Sequence, residues 1–350
     1  MATETRQRLA FASDYQHGAH PAIVEKLVIT NMDSSSGYGT DSHCERAREL
    51  IRAACDAPEA DVYFLAGGTQ ANAVTIGALL SPWQGVIAAD TGHISAHEGG
   101  AIEAGGHKVL TVPGKRGKLS AASVDAFAST WEADENRDHM VMPGLVYISQ
   151  PTEYGTLYTL TELEALHETC VAHNLKLYVD GARLAYALGA PSNDVTLADL
   201  ARLTDAFYIG GTKCGALLGE AMVFPKPNTC PHFFTVMKQH GAVLAKGRVL
   251  GIQFESLFEG GLYFRIGKDA VAQAFELAQM LEDTGCALTL RPETNQVFVA
   301  LTKEQEASLA KDVDMSFWEN TPDGRVVVRL ATSWATTDED VAALKALLER

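Results

Sequence analysis

The sequence predicts an α/β fold: a large domain with a mostly parallel central sheet flanked by helices, followed by a smaller C-terminal α+β domain. Three observations predict it. Short apolar runs rich in β-branched and aromatic residues alternate with longer amphipathic stretches through the middle of the chain, the pattern of β/α units around a parallel sheet. Several of these runs are followed closely by Gly, Asp or Thr. After about Gly260 the alternation gives way to a long helical stretch and then to further strands, which marks a smaller unit.

The expected strands of the large sheet are Asp61 to Leu65, Val86 to Ala89, Lys108 to Val112, Leu145 to Ser149, Leu175 to Val179, Ala206 to Ile209 and Ala221 to Phe224. Helices are expected at Asp41 to Ala54, Gln70 to Leu80, Leu160 to His173 and Thr196 to Leu203, where apolar residues recur at three- and four-residue spacing. They suit crossovers between strands. In the smaller unit a helix from Lys268 to Thr284 precedes strands at Ala287 to Leu290, Gln296 to Leu301 and Arg325 to Thr332, and a last helix starts at Asp338. The polar run Asp33-Ser34-Ser35-Ser36-Gly37 reads as a loop, and no internal repeat is evident.

Composition narrows the function. A chain of 350 residues with 47% hydrophobic and 21% charged side chains has the balance of a globular protein with a large core. The formal charge of -16 repels polyanions, so neither nucleic acid nor an anionic membrane is an expected partner, and any phosphate site must be local. The start, MATETRQRLA, has no apolar segment of secretory length, and no stretch is long enough to cross a bilayer, so a cytoplasmic protein is expected. The six cysteines lack a CxxC pair or clustered histidines, which predicts reduced thiols and no metal site.

In open parallel sheets ligands bind beyond the carboxyl ends of the strands, and four such ends are chemically rich. Gly67-Gly68-Thr69 offers free amides and a hydroxyl at a helix start, which suits a phosphate, although alone it also reads as a tight capped turn. Thr91-Gly92-His93 brings an aromatic ring. Asp180 ends the apolar strand Leu-Lys-Leu-Tyr-Val and needs a cation or donor to offset desolvation; an internal pair with Arg183 is one reading. Lys213 follows an apolar strand and two glycines, so its amine reaches the sheet edge where desolvation lowers its pKa and frees it to attack a carbonyl. Together they supply what pyridoxal phosphate requires: an imine-forming lysine, a carboxylate for the ring nitrogen and a phosphate anchor.

These residues carry a family resemblance. Phe11-Ala12-Ser13-Asp14-Tyr15, Gly37-Tyr38-Gly39, Gly68-Thr69-Gln70-Ala71-Asn72, Gly92-His93 with Glu98, Asp180-Gly181-Ala182-Arg183, Thr212-Lys213 and Val328-Arg329-Leu330 stand in the order found in the threonine aldolase and β-eliminating lyase group of fold-type-I pyridoxal phosphate enzymes. The resemblance implies that Lys213 holds the cofactor as a Schiff base, Asp180 faces its ring nitrogen and His93 stacks on its face. Gly68, Thr69 and Thr212 would hold the phosphate, and Lys246 or Arg248 would add a contact. Arg183 and Arg329 would clamp the substrate carboxylate with help from Ser13, since a guanidinium offers two parallel donors to two oxygens. Tyr38 would reach a neighbouring subunit's cofactor in a homodimer or homotetramer.

The resemblance also implies residues 1–20 as an N-terminal arm contributing to the active site, 21–250 as the cofactor-binding domain and 251–350 as the small domain. One segment departs from the family pattern: where many threonine aldolases read Thr-His-Asn-Gly, this chain reads Thr152-Glu153-Tyr154-Gly155. Glu153 or His93 is therefore the expected general base, directly or through water. The expected reaction is cleavage of threonine or allo-threonine to glycine and an aldehyde. β-Elimination or transamination on the same scaffold is the nearest alternative, and a non-catalytic binding protein a more distant one.

Overall fold

The computed structural model describes residues 8–349. Its centre is a seven-stranded sheet, here β1 (Asp61–Leu65), β2 (Gln84–Ala89), β3 (Val109–Val112), β4 (Met142–Ser149), β5 (Lys176–Asp180), β6 (Ala206–Gly210) and β7 (Glu220–Phe224). The spatial order is β1-β7-β6-β5-β4-β2-β3, and only β7 runs against its neighbours. These strands are almost continuously apolar because both faces are covered. Leu145, Tyr147, Tyr178 and Tyr208 pack on one side with helices Gly68–Leu79 and Phe233–Gln239. On the other, Val146, Ile148, Val179 and Phe207 meet helices Ser42–Ala54, Leu160–Ala172 and Arg248–Phe258.

The helices start where their caps dictate. The side chains of Asp41, Thr159, Thr196 and Thr337 each accept a backbone N–H of the first turn of their helices, and the last three belong to full capping boxes.

The smaller domain is a four-stranded antiparallel sheet of β8 (Ala287–Leu290), β9 (Gln296–Leu301), β10 (Ser316–Asn320) and β11 (Val326–Ala331), in the order β10-β11-β9-β8. Helix Leu262–Asp283 joins the two cores. Its Tyr263, Ile266, Ala270 and Val271 belong to the large one, and Ala274, Leu277, Ala278 and Leu281 to the small one. The close approach depends on Gly267, where a Cβ would lie 1.9 Å from the Ala185 carbonyl oxygen. The large core also extends past residue 250, since Phe254, Leu257 and Phe258 are buried in it.

The described part of the expected N-terminal arm threads between the domains. Leu9–Ala10 pairs in parallel with Val313–Asp314, and the Phe11 carbonyl accepts the Ala331 N–H at 2.8 Å. Residues 1–7 of the expected arm lie outside the described residues.

Candidate active site

The carboxyl ends of β2, β4, β5 and β6 and the edge of the small sheet surround a cleft of about 550 Å³. It is lined by Asp90, His93, His97, Glu153, Arg183 and Lys213 from the large domain and by Trp318 and Arg329 from the small one. Gly181 permits the tight turns at its floor, because a Cβ there would sit 2.0 Å from the Tyr208 carbonyl oxygen.

Asp180 is buried at 3% exposure as the last residue of β5. Its Oδ2 accepts from the Tyr147 hydroxyl at 2.6 Å and Asn72 Nδ2 at 3.0 Å; its Oδ1 accepts from the Tyr208 hydroxyl at 2.5 Å and the Ala182 N–H at 3.0 Å. Burial pushes its pKa up, but the charge on His93 and these donors outweigh burial and hold the carboxyl below its ordinary range. Asp180 is an anion fixed in place.

Asn72 extends the network. Its Nδ2 also donates to Glu98 Oε1 at 2.7 Å, and that same oxygen meets His93 Nδ1 at 2.8 Å. The His93 N–H donates to Glu153 Oε1 at 3.0 Å, which also accepts the Ser149 hydroxyl at 2.7 Å. Glu153 Oε2 is buried without a partner, and burial raises the pKa of this carboxyl.

Lys213 lies in the turn after β6. Burial, aided by Arg183, pushes its amine below the ordinary lysine value, while Asp14, Asp180 and Glu220 act in the opposite sense. Glu220, the first residue of β7, accepts the Gly211 N–H at 3.1 Å. The adjacent Thr212 hydroxyl accepts the Gly219 N–H at 3.0 Å.

The two arginines differ. Arg183 gives Nε and Nη2 to the Asp14 carboxylate at 2.6 and 3.0 Å, a buried two-bond pair. Arg329 donates to neutral oxygens, Gln296 Oε1 and the Ala12 carbonyl, both at 3.1 Å, and its buried Nε has no partner. Burial, then the charge of Arg183, lowers its pKa to about 10. A desolvated guanidinium without a carboxylate partner among the described residues is an anion receptor.

Helix Gly68–Leu79 starts at Gly67 with no side-chain cap, so its first amides are open, and a Cβ on Gly67 would meet nothing within 4 Å. The uncapped cradle, the anionic Asp180 and the buried Lys213 amine, its pKa lowered by burial, fit the phosphate, ring nitrogen and aldehyde of pyridoxal phosphate.

The model of the β-eliminating lyase family matches residues 10–304. This chain is a β-eliminating lyase family member. A low specificity L-threonine aldolase of a Pseudomonas species is 30% identical, the match covering 98% of this chain and 97% of that one. A threonine aldolase structure from Leishmania major superposes with a TM-score of 0.94 at 45% identity, covering 97% and 98% of the two chains. An aspartate aminotransferase from Thermus thermophilus shares the fold at a TM-score of 0.69 and 15% identity. Pyridoxal phosphate is the cofactor of this β-eliminating lyase family member.

Of the residues singled out from the sequence, His93, Glu153, Arg183, Lys213 and Arg329 line the cleft, with Asp180 beneath it. Gly68 connects to that floor, since a Cβ there would lie 3.1 Å from the Tyr208 hydroxyl, and Thr69 follows it in the same first helical turn. Ser13, Tyr38, Thr212 and Lys246 do not line the cleft. Ser13 is buried beside Asp14, Tyr38 is half-exposed under the Lys238 ammonium, and Lys246 is exposed. Arg248 donates to the carbonyls of Asp33 and Asn31.

Sequence reasoning missed Tyr147, Tyr208, Ser149, Glu220, His97 and Trp318. A signal for the tyrosines existed: a phenol on a fully buried strand needs a polar partner. Tyr178 lies two residues before Asp180 on the same strand face, and Tyr147 pairs with Tyr178 in register.

Proposed function

We propose that this chain cleaves a β-hydroxy-α-amino acid, threonine or allo-threonine, to glycine and an aldehyde. The observation that carries this reading is the convergence of Lys213 and an anion-seeking Arg329 in one cleft. Relatives named threonine aldolase that match over nearly the whole chain support it.

Bound pyridoxal phosphate supplies a ring that accepts the electron pair of a breaking bond at the substrate's Cα. Lys213 anchors it, and its depressed pKa lets the amine serve as a nucleophile and a leaving group. Asp180 keeps a proton on the ring nitrogen; its own low pKa makes it the anion that such a proton requires. His93, held by Glu98, would pack against the ring of the bound cofactor. The uncapped turn at Gly68 and Thr69, with Thr212, receives the phosphate.

Arg329 would receive the α-carboxylate and so orient the substrate's Cα toward the bound cofactor. Arg183 has two donors committed to Asp14, so its role toward the carboxylate is secondary. Tyr38 and Lys246, outside this cleft, act in a partner's cleft within a homodimer or homotetramer. The protein acts in the cytoplasm; among the described residues no helix is long and apolar enough to cross a membrane.

The test is incubation of purified holoenzyme with a panel of β-hydroxy amino acids, measuring glycine and aldehyde together. Release of both in equal amounts is expected. An oxo acid with ammonia, or amino-group exchange, would replace this reading with elimination or transamination.

A further inference from the structure

Aldol cleavage needs a base for the β-hydroxyl proton, and the cleft offers several groups. His93 commits Nδ1 to Glu98, and on the proposed function its ring would lie against the bound cofactor. Glu153 has Oε1 occupied by the Ser149 hydroxyl and the His93 backbone N–H, and the carboxyl lies buried at the cleft floor with Oε2 unpartnered and its pKa raised by burial. Asp90 Oδ1 accepts the N–H groups of Thr91 and Gly114, both at 3.0 Å. His97 differs: no described residue hydrogen-bonds either ring nitrogen, and the ring faces the cleft.

We propose that His97 is the catalytic base that accepts the β-hydroxyl proton, its ring placed in the cleft between His93 at 5.7 Å and Trp318 at 6.4 Å. This rests on the aldolase reading. The O–H bond breaks as its electron pair forms the aldehyde C=O, and the proton goes to His97. The Cα–Cβ bond breaks, its electron pair would be held by the bound cofactor's ring, and Cα takes up a proton to give glycine.

The surroundings suit a base. Burial, then the charges of His93 on the same segment, Arg329 on β11 and Lys213 after β6, lower the imidazole pKa below its ordinary 6.5. The acidic groups lining the same cleft are Asp90, Glu153 and Glu319. The positive side prevails at His97, so the ring is neutral and able to accept a proton near pH 7.

Holoenzyme carrying His97→Asn tests this. Its retro-aldol kcat should fall by about 100-fold or more, the usual scale for a general base. Exchange of the glycine α-proton with D₂O, which needs no β-hydroxyl, should change by no more than about threefold. The acid limb of the wild-type kcat profile, below pH 6.5, should vanish in the variant, and added imidazole should rescue His97→Ala. NMR titration of cofactor-free protein should place the His97 ring below 6.5. Cleavage by His97→Asn within a few-fold of wild type, with the acid limb retained, would overturn the assignment. Glycine and aldehyde release by the wild type, run alongside, tests the aldolase reading separately.

Discussion

Asp14 and Arg183 form a buried ion pair through two parallel hydrogen bonds, joining the N-terminal segment to the turn after β5. Asn295 Nδ2, from the turn before β9, adds a third contact to Asp14 at 3.0 Å. The pair fixes the cleft wall between the two domains and uses donors that a substrate would otherwise claim.

Asp14→Asn strands the buried Arg183 charge. Removing one partner of such a pair costs roughly 3–5 kcal/mol, so this variant should unfold at a clearly lower temperature than wild type. Unchanged thermal unfolding would mean that Arg183 finds another anion.

Arg329→Gln should act on binding. Losing a desolvated cation from the carboxylate costs about 2–5 kcal/mol in kcat/KM, carried largely by KM, with little change in Tm. Arg329 has no ion pair to break among the described residues, which is why stability should be spared. Steady-state kinetics with thermal melts decide it; a Tm loss without a KM effect would make Arg329 structural.

Asp180→Asn should lower kcat by about 2–4 kcal/mol, the scale for removing one preorganised electrostatic group, and should weaken cofactor retention less. Comparable losses in both would remove its electronic role.

The Glu220 carboxyl is pushed by burial from 4.5 up to about 8, so the folded chain holds this proton more tightly than the unfolded one. Its contribution to stability is full below pH 4.5 and is lost as pH rises through about 8. Cofactor-free Glu220→Gln protein should therefore lose less Tm than wild type between about pH 5 and pH 9. Equal slopes would assign the pH dependence to other groups.

The sheet was legible because its strands are apolar on both faces; β1 is Asp61–Leu65, the predicted range, and the other six lie within a few residues of theirs. From its sequence pattern the joining helix is expected to start at Lys268, but it begins at Leu262: in Leu-Tyr-Phe-Arg-Ile-Gly the outward face carries Phe264 beside Arg265, which blurs the apolar-polar period, and glycine weakens the helical signal. Arg248–Phe258 escaped for a similar reason, being buried along nearly its whole length. Lys213, Asp180 and His93 could be found because each follows a strand. Trp318 could not: its place in the cleft depends on how the small sheet docks, which no local pattern encodes; His97, one helical turn after His93, follows no strand directly.

On the proposed function, pyridoxal phosphate would be bound covalently to Lys213, with Asp180 beneath it. Borohydride reduction of the holoenzyme followed by peptide mass analysis tests it most directly. A phosphopyridoxyl group is expected on the peptide containing Lys213, and none on Lys213→Ala protein treated alike. A label on a different lysine, or an unlabelled wild-type chain, would contradict it.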